Sequence, residues 1–587
     1  MPLFDTVADA VAGIATKFPE QGYVFQDMQG TETWMPFAEV EQRTAARAAG
    51  LQQLGLKQGD RIGIVIIEPE DFVLTFLAAV RVGVIPVPLY PPMSFSALDA
   101  YAERTARVLS LSGSRVLVAS GKLQNLLWGL VDQVPTLEKL VKAESLAEAT
   151  GAPTWPTITA DDICFLQYTS GSTSDPKGVI VTHANLAANC EAMVNQGLHM
   201  EGTGVAVAWL PLYHDMGLIG FVISTIMHGI KSVFIPTMRF IKKPSVWMDA
   251  IHRHRGTVSF APNFAYALVT RKTTPEQRAG WDLSSMGAFG CGAEPIHGDT
   301  ARAFIEAFST SSRMKPEAFL PAYGMAEATL AISFKPIVRP FRTQVVDAET
   351  FAEGKVAPAV DGRAVFEHVS CGPAFLDHEI AVFDEDGRRL PEGTEGELCL
   401  RGPSVCPGYW EAPEATATSF RGGWLHTGDL GYVLDGEVYV TGRLKDLIIL
   451  NGRNLHPQAI EWVVAEVPGV RKGNVVAFSR PGAESEELVV VCETKGGDDE
   501  RIVDEVRKVV RKELGSPPAD VVCVSPGSLP KTSSGKLQRR KTRSQYLTGQ
   551  LASEGERTMG AQGSTVTVAR HLAKGVWTRA RTSLLGR

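Results

Sequence analysis

Between the apolar runs 163–166 and 179–181 the chain reads Tyr168-Thr-Ser-Gly-Ser-Thr-Ser-Asp-Pro-Lys-Gly178, a spelling suited to gripping a polyphosphate. Gly171 lets the backbone turn with its N–H groups inward. Thr169, Ser170, Ser172, Thr173 and Ser174 supply hydroxyls, and Lys177 supplies a positive charge. Such clusters also mark plain connecting loops, so that reading stands beside the first. The order is not that of the P-loop, where Gly-Lys is followed at once by Ser or Thr; here Lys177 precedes Gly178. A different nucleotide fold is expected.

Further polar islands follow. His214 stands directly after a strand-like run in Trp209-Leu-Pro-Leu-Tyr-His-Asp-Met-Gly-Leu218, a position where open α/β sheets place ligands, although a loop histidine is equally a structural group. The turn Gly290-Cys-Gly-Ala-Glu-Pro295 offers small residues, Gly292 and Ala293, beside Glu294, with room for a flat ring. In Pro321-Ala-Tyr-Gly-Met-Ala-Glu-Ala-Thr329, Tyr323 presents an aromatic face, and Glu327 a carboxylate suited to Mg²⁺, which takes few carboxylates plus substrate phosphates. Asp429, at the end of Trp424-Leu-His-Thr-Gly-Asp429, suits ribose hydroxyls. Lys536, in a glycine- and serine-rich loop, is a cation able to meet developing charge.

The elements that must carry these islands are read from periodicity. Residues 61–90 give a β-rich run, a helix-like stretch at 72–81 and a second β run, a βαβ unit that calls for a parallel sheet. The alternation recurs through residue 235 and predicts a doubly wound α/β body. Near Gly372 the pattern becomes short β runs separated by glycine turns, an antiparallel, barrel-like subdomain over about 370–442. Residues 443–543 read as a small α+β domain beyond a boundary at 442–445, and 544–587 as a basic tail. In the tail Val568, Leu572, Val576, Ala580 and Leu584 recur every four residues among arginines and lysines, which fits a basic amphipathic helix, a helix packed back on the body or an irregular end.

At 587 residues the chain exceeds what one core serves, so at least two domains are expected. The net charge of −7 gives no attraction to nucleic acid. The eight cysteines form no C-x-x-C pair, which points to reduced thiols and away from zinc. No basic segment with an apolar core opens the chain and no apolar run is long enough to span a bilayer, so a cytoplasmic protein is expected, with membrane contact confined to the basic tail.

Taken in order, the loop 168–178, His214, Tyr323-Gly-Met-Ala-Glu327, Thr427-Gly-Asp429, Gly442-Arg-x-Lys-Asp446 and Pro530-Lys-x-x-Ser-Gly-Lys536 resemble the motifs of the adenylate-forming superfamily of acyl-CoA synthetases, peptide-synthetase adenylation domains and luciferases. The resemblance runs from about residue 10 to 541. Thr-Ser-Gly-Ser-Thr-Ser174, Tyr-His-Asp-Met-Gly-Leu-Ile-Gly220 and Tyr-Gly-Met-Ala-Glu-Ala328 look most like the fatty acyl-AMP ligases. So does the segment of about 338–362, which resembles the insertion that in those ligases braces the small domain and disfavours CoA. Ala326 departs from the pattern: most relatives carry Thr there, and the missing hydroxyl's role would pass to Thr169, to backbone N–H groups or to Lys536.

The resemblance implies ATP and Mg²⁺ as cofactors, a fatty acid substrate and two half-reactions: adenylation of the acid, then transfer to a phosphopantetheine thiol of an acyl carrier protein or synthase carrier domain. It assigns residues 169–177 to the β- and γ-phosphates, Glu327 to Mg²⁺, and Tyr323 with Gly292, Ala293 and Glu294 to adenine, in a pocket that includes Ala322, Gly324, Met325 and Ala326. Asp429 and Arg443 fall to the ribose and its phosphate, and Lys536 to the reacting oxygens. Lys445 becomes the hinge of a mobile C-terminal domain. His214 and the segments 219–226 and 258–264 would line the acyl pocket. Two rival readings stay open: a medium- or long-chain acyl-CoA ligase, and an inactive acyl- or nucleotide-binding scaffold.

Overall fold

The computed structural model describes residues 2–551 except 93–97, 170–175, 201–203, 451–452, 483–485, 515–516 and 533–534. The βαβ unit is present as strand Arg61–Val65, helix Pro69–Arg81 and strand Ile85–Pro88. The helix opens on Pro69 with Glu70 and Asp71 in its first turn and closes with Arg81, charges that complement the peptide dipole at each end. Residues 72–81 are all buried, so this helix lies between layers. Its strands join Val116–Ala119 and Lys139–Lys142 in a four-stranded parallel sheet.

The larger sheet has eight strands in the order Ala331–Phe334, Phe319–Gly324, Ala288–Cys291, Val258–Ala261, Val205–Ala208, Lys231–Phe234, Gly22–Gln26 and Glu32–Pro36. Internal pairs are parallel, and the two edge strands are antiparallel. Short apolar strands buried on both faces are what a parallel sheet covered by helices requires. Neighbouring strands here send the chain in opposite directions: Val205–Ala208 leads on to Lys231–Phe234 on one side, Val258–Ala261 to Ala288–Cys291 on the other. The crevice this opens beyond their carboxyl ends is where such sheets bind ligands.

The hydroxyl loop belongs to an antiparallel pair, Ile163–Thr169 with Lys177–Thr182, in which Thr169 faces Lys177. Ser170, Gly171, Ser172, Thr173 and Ser174 lie outside the described residues.

Residues 379–443 form a five-stranded antiparallel sheet. Antiparallel pairing follows the sequence reading: among the described residues the path runs from Glu379–Phe383 through Gly396–Arg401 and Trp424–Leu434 to Glu437–Arg443. The segment after 338 builds a ribbon, Thr343–Asp347 paired with Val365–Val369. Between them a short helix, Ala348–Ala352, starts where the Asp347 side chain accepts the Thr350 N–H at 2.9 Å. Its Phe351, 2% exposed, sets its ring 6.1 Å from Tyr432 and 5.7 Å from His456, just ahead of helix Pro457–Ala465.

Past a 3₁₀ turn at Leu444–Asp446 the chain forms a smaller unit. It opens with a hairpin, Ile448–Leu450 paired with Arg453–Leu455, and its larger sheet has the three strands Val470–Pro481, Glu486–Thr494 and Asp520–Val524. Helix Asp499–Leu514 lays Ile502, Val506 and Val510 on this sheet at a four-residue spacing, enclosing a core separate from that of the body. The last helix, Arg539–Leu547, passes straight through position 544, where the sequence reading begins a separate tail. Tyr546 explains the difference: its ring packs on Phe478 and its hydroxyl donates to Asp520 at 2.6 Å, tying the helix to the small unit. Val568, Leu572, Val576, Ala580 and Leu584 lie outside the described residues. No helix among the described residues is long and apolar enough to cross a membrane.

Candidate active site

A cavity of about 2020 Å³ opens at the crevice, between the body and the small unit, and nearly every described island of the sequence reaches it. Thr169, Lys177, His214, Tyr323, Glu327, Asp429, Arg443, Lys445 and Lys536 line it, as do Gly292, Ala293, Glu294, Ala322, Gly324, Met325 and Ala326. Their elements explain the convergence: His214 follows Val205–Ala208, Gly292 follows Ala288–Cys291, and Tyr323 ends Phe319–Gly324, all at carboxyl ends of one sheet.

The turn 292–294 and the strand end at 322–324 are pressed together. A Cβ on Gly292 would stand 3.0 Å from the Ala322 carbonyl oxygen, and one on Gly324 only 1.9 Å from that of Leu330. Ala293 takes a left-handed backbone (φ 69°), a conformation that costs a non-glycine residue about 1 kcal/mol or more and that marks functional turns. A slot with backbone on both sides and no bulky side chain is suited to a planar base. Glu294 accepts the Phe264 N–H at 2.9 Å; burial raises its pKa, while that hydrogen bond, Lys536 and Lys531 pull it down.

Asp429 is held from two sides. The Tyr323 hydroxyl donates to its Oδ2 at 3.0 Å, and Arg443 Nε lies 2.9 Å from its Oδ1. The turn itself is anchored by Glu397, which accepts the Gly428 N–H at 2.9 Å and meets His426 Nδ1 at 2.8 Å. A fixed carboxylate beside a guanidinium suits a vicinal diol next to a phosphate.

Glu327 is nearly enclosed, and burial raises its carboxyl pKa against the Tyr409 hydroxyl, which donates to Oε1 at 2.8 Å. Lys177 sits with its ammonium 4.8 Å from the Tyr409 ring centroid. Tyr409 thereby joins a cation to a carboxylate. A single anchored carboxylate in a wet cleft fits Mg²⁺, which takes its remaining ligands from phosphates and water. Ala326 brings no hydroxyl; its carbonyl accepts from the Cys406 thiol.

Lys536 reaches the cleft from the small unit. Burial lowers its pKa and Arg443 adds to the fall, while Asp215, Glu294 and Asp429 oppose it. Asp215 pairs with His214, Nδ1 to Oδ1 2.5 Å. Beyond them the cavity turns apolar along Phe221, Val258, Phe260, Leu330 and Phe334, bringing together the two segments expected to form an acyl pocket.

Two groups were not legible as site residues. Asp215 stands in the same polar island as His214, but nothing in the sequence distinguishes it from an ordinary helix-start acid. Tyr409, in Pro407-Gly-Tyr409, gave only an aromatic after a glycine turn, and its link to Glu327 spans 82 positions of sequence.

Two family models match: AMP-binding enzyme over residues 12–410, and AMP-binding enzyme C-terminal domain over 459–536. The chain is 38% identical over 526 residues to a putative acyl-CoA synthetase of Caulobacter vibrioides, covering 88% of this chain and 91% of that one. It is 32% identical to the medium-chain fatty acid acyl-carrier-protein ligase JamA of Moorena producens, covering 88% and 90%. Among solved structures, one from a study of fatty acyl-adenylate ligases of E. coli and L. pneumophila superposes with a TM-score of 0.88 at 32% identity, covering 94% of this chain and 99% of that one.

Proposed function

This chain belongs to the AMP-binding enzyme family, in the adenylate-forming superfamily, and from there we propose that it activates a fatty acid with ATP and passes the acyl group to the phosphopantetheine thiol of an acyl carrier protein. The observation that carries the first half is the single cleft in which a phosphate-type loop foot, a ribose-type carboxylate pair and a buried lysine open directly onto an apolar channel. In the first step the fatty acid carboxylate attacks the α-phosphorus of ATP and pyrophosphate leaves. Such a reaction asks the protein mostly for positioning and for cations at developing charge.

Lys177 and Thr169 face the outer phosphates, Asp429 and Arg443 hold the ribose and its neighbouring phosphate, and the 292–294 and 322–324 turns sandwich adenine. Lys536 bridges the carboxylate and α-phosphate oxygens. Glu327 would hold Mg²⁺, and the ion would supply positive charge against the phosphates. A hinge at Lys445 then lets the small unit withdraw so that the thiol can enter.

The acceptor is read from the ribbon 343–369, whose Phe351 packs on both the body and the start of the small unit. JamA, named for an acyl-carrier-protein acceptor, favours the same reading; the relative named as an acyl-CoA synthetase favours CoA. The test is direct: supply ATP, Mg²⁺ and dodecanoate with CoA or with a holo-carrier protein, and weigh the products by mass spectrometry. Acyl-carrier formation with little acyl-CoA is the expected outcome, and efficient acyl-CoA formation sinks the acceptor assignment. Absence of any acyl-AMP without a thiol sinks the first half-reaction and returns the scaffold reading.

A further inference from the structure

Asp215 is a half-buried acid that the adenylation step does not use. Its side chain is 15% exposed, and its Oδ1 stands 2.5 Å from Nδ1 of His214, whose own side chain is 26% exposed to the cleft. The same oxygen accepts the Met216 N–H at 2.7 Å, which fixes the carboxylate against its helix start. Both residues line the cavity at the point where its polar part meets the apolar channel. The reacting carbonyl of an acyl-adenylate, with its acyl chain in that channel and its phosphate toward Lys536, belongs at this junction.

We propose that His214 and Asp215 form the base that deprotonates the incoming thiol in the second half-reaction; this rests on the thiol transfer proposed above. An Asp oxygen at Nδ1 holds that nitrogen as the donor, which leaves the lone pair of Nε2 free to accept a proton. The thiol proton passes to Nε2, and sulfur attacks the acyl carbonyl carbon. The bond between that carbon and the AMP phosphate oxygen breaks with its electron pair, and AMP leaves as the anion while the thioester forms. No further reactant is needed.

The charged neighbours give the dyad its timing. Lys536 faces Asp215 from the small unit, with Glu294, Asp429 and Arg443 behind it. Tyr213, next to His214 in sequence, has its ring centroid 6.4 Å from that of Tyr90, and burial keeps both hydroxyls neutral. While Lys536 is in the cleft it shares the Asp215 charge. Once Lys536 withdraws, Asp215 keeps its contact with His214 Nδ1, and Nε2 is left facing the incoming thiol.

The test starts from synthetic dodecanoyl-AMP, so that adenylation does not enter. Wild type, Asp215→Asn and His214→Gln are given either N-acetylcysteamine, an alkyl thiol protonated at neutral pH, or thiophenol, which is largely ionised there. General-base catalysis predicts a loss of about 10²–10⁴ in thioester formation with the alkyl thiol, and a change of only a few fold with the aryl thiol, which needs no base. Equal losses with both thiols would mean a merely structural role and overturn the proposal, as would no loss with either. Should a variant fail to fold, wild type alone decides: a pH-dependent kcat/KM and a solvent deuterium isotope effect seen with N-acetylcysteamine and not with thiophenol uphold the base, and identical behaviour of the two thiols removes it. Wild type that makes acyl-AMP yet transfers to no thiol removes the acceptor reading and the base together, whereas a failure confined to the variants touches the base only.

Discussion

On the floor of the cleft, Tyr323, Asp429 and Arg443 are chained at 3.0 and 2.9 Å, and Glu327 is fixed by Tyr409 at 2.8 Å. Lys536 meets the same cleft from a loop in which its N–H donates to Thr532 Oγ1 at 3.0 Å and its carbonyl accepts the Thr532 N–H at 2.7 Å. The floor is a network spanning strands far apart in sequence, whereas the closing loop brings one charge on a short local scaffold. On the proposed assignment such a site separates holding from reacting: floor residues would set how well nucleotide binds, and the loop how fast it turns over.

Lys536→Ala should give the largest effect, about 10²–10³-fold in pyrophosphate exchange, as for loss of one well-placed donor, with nucleotide affinity within a few fold. Pyrophosphate exchange that survives the change would end the division of labour. The sign of the pH dependence follows from the lowered pKa of Lys536: the charged form is lost as pH rises, so kcat/KM for adenylation should begin to fall below the range of an ordinary lysine. Lys536→Arg should move that limb upward.

Tyr409→Phe keeps the ring under Lys177 and removes only the hydrogen bond to Glu327. A bond to a charged group contributes about 1.5–3 kcal/mol, so KM for ATP with Mg²⁺ should rise on the order of tenfold or more with a smaller change in kcat. A change confined to kcat would place Glu327 with the reacting part instead. The smallest effect on adenylation is expected from Phe351→Ala: rates within about twofold, since the ring does not itself line the cleft, but a shift of the product ratio toward acyl-CoA. Loss of a buried Phe side chain costs about 3–5 kcal/mol, so a thermal melt of the variant distinguishes a loosened joint from a collapsed fold.

The sequence reading goes furthest where chemistry demands a fixed residue type. Glycines 292 and 324 have no space for a Cβ, Asp429 and Arg443 must be opposite in charge, and the βαβ periodicity follows from burial on both faces. It falls short where the decisive contact is long-range. Nothing local shows that Tyr409 reaches Glu327 or that Phe351 reaches His456, and the strand pairing within 379–443 depends on partners spread over many turns. Asp215 fails for another reason: its acid was visible, but a histidine and an acid adjacent in sequence give no hint that their side chains turn toward each other. The end of the small unit fails because Tyr546 docks a helix whose polar composition resembles a tail.

Three residues beyond Lys536, Arg539 forms ion pairs with Asp446 at 2.9 Å and with Glu461 at 2.7 Å, and Asp446 directly follows Lys445. The residues after the lysine loop are thus riveted beside Lys445, and with the pivot proposed there they make a short crank with Lys445 at its axle and Lys536 at its rim. A torsion at that axle is passed toward the rim through the Arg539 ion pairs. A pair of fluorophores, one on the body and one near Lys536, would therefore read a modest rotation as a large change in distance, and severing Arg539 would leave the axle turning while the rim lagged behind.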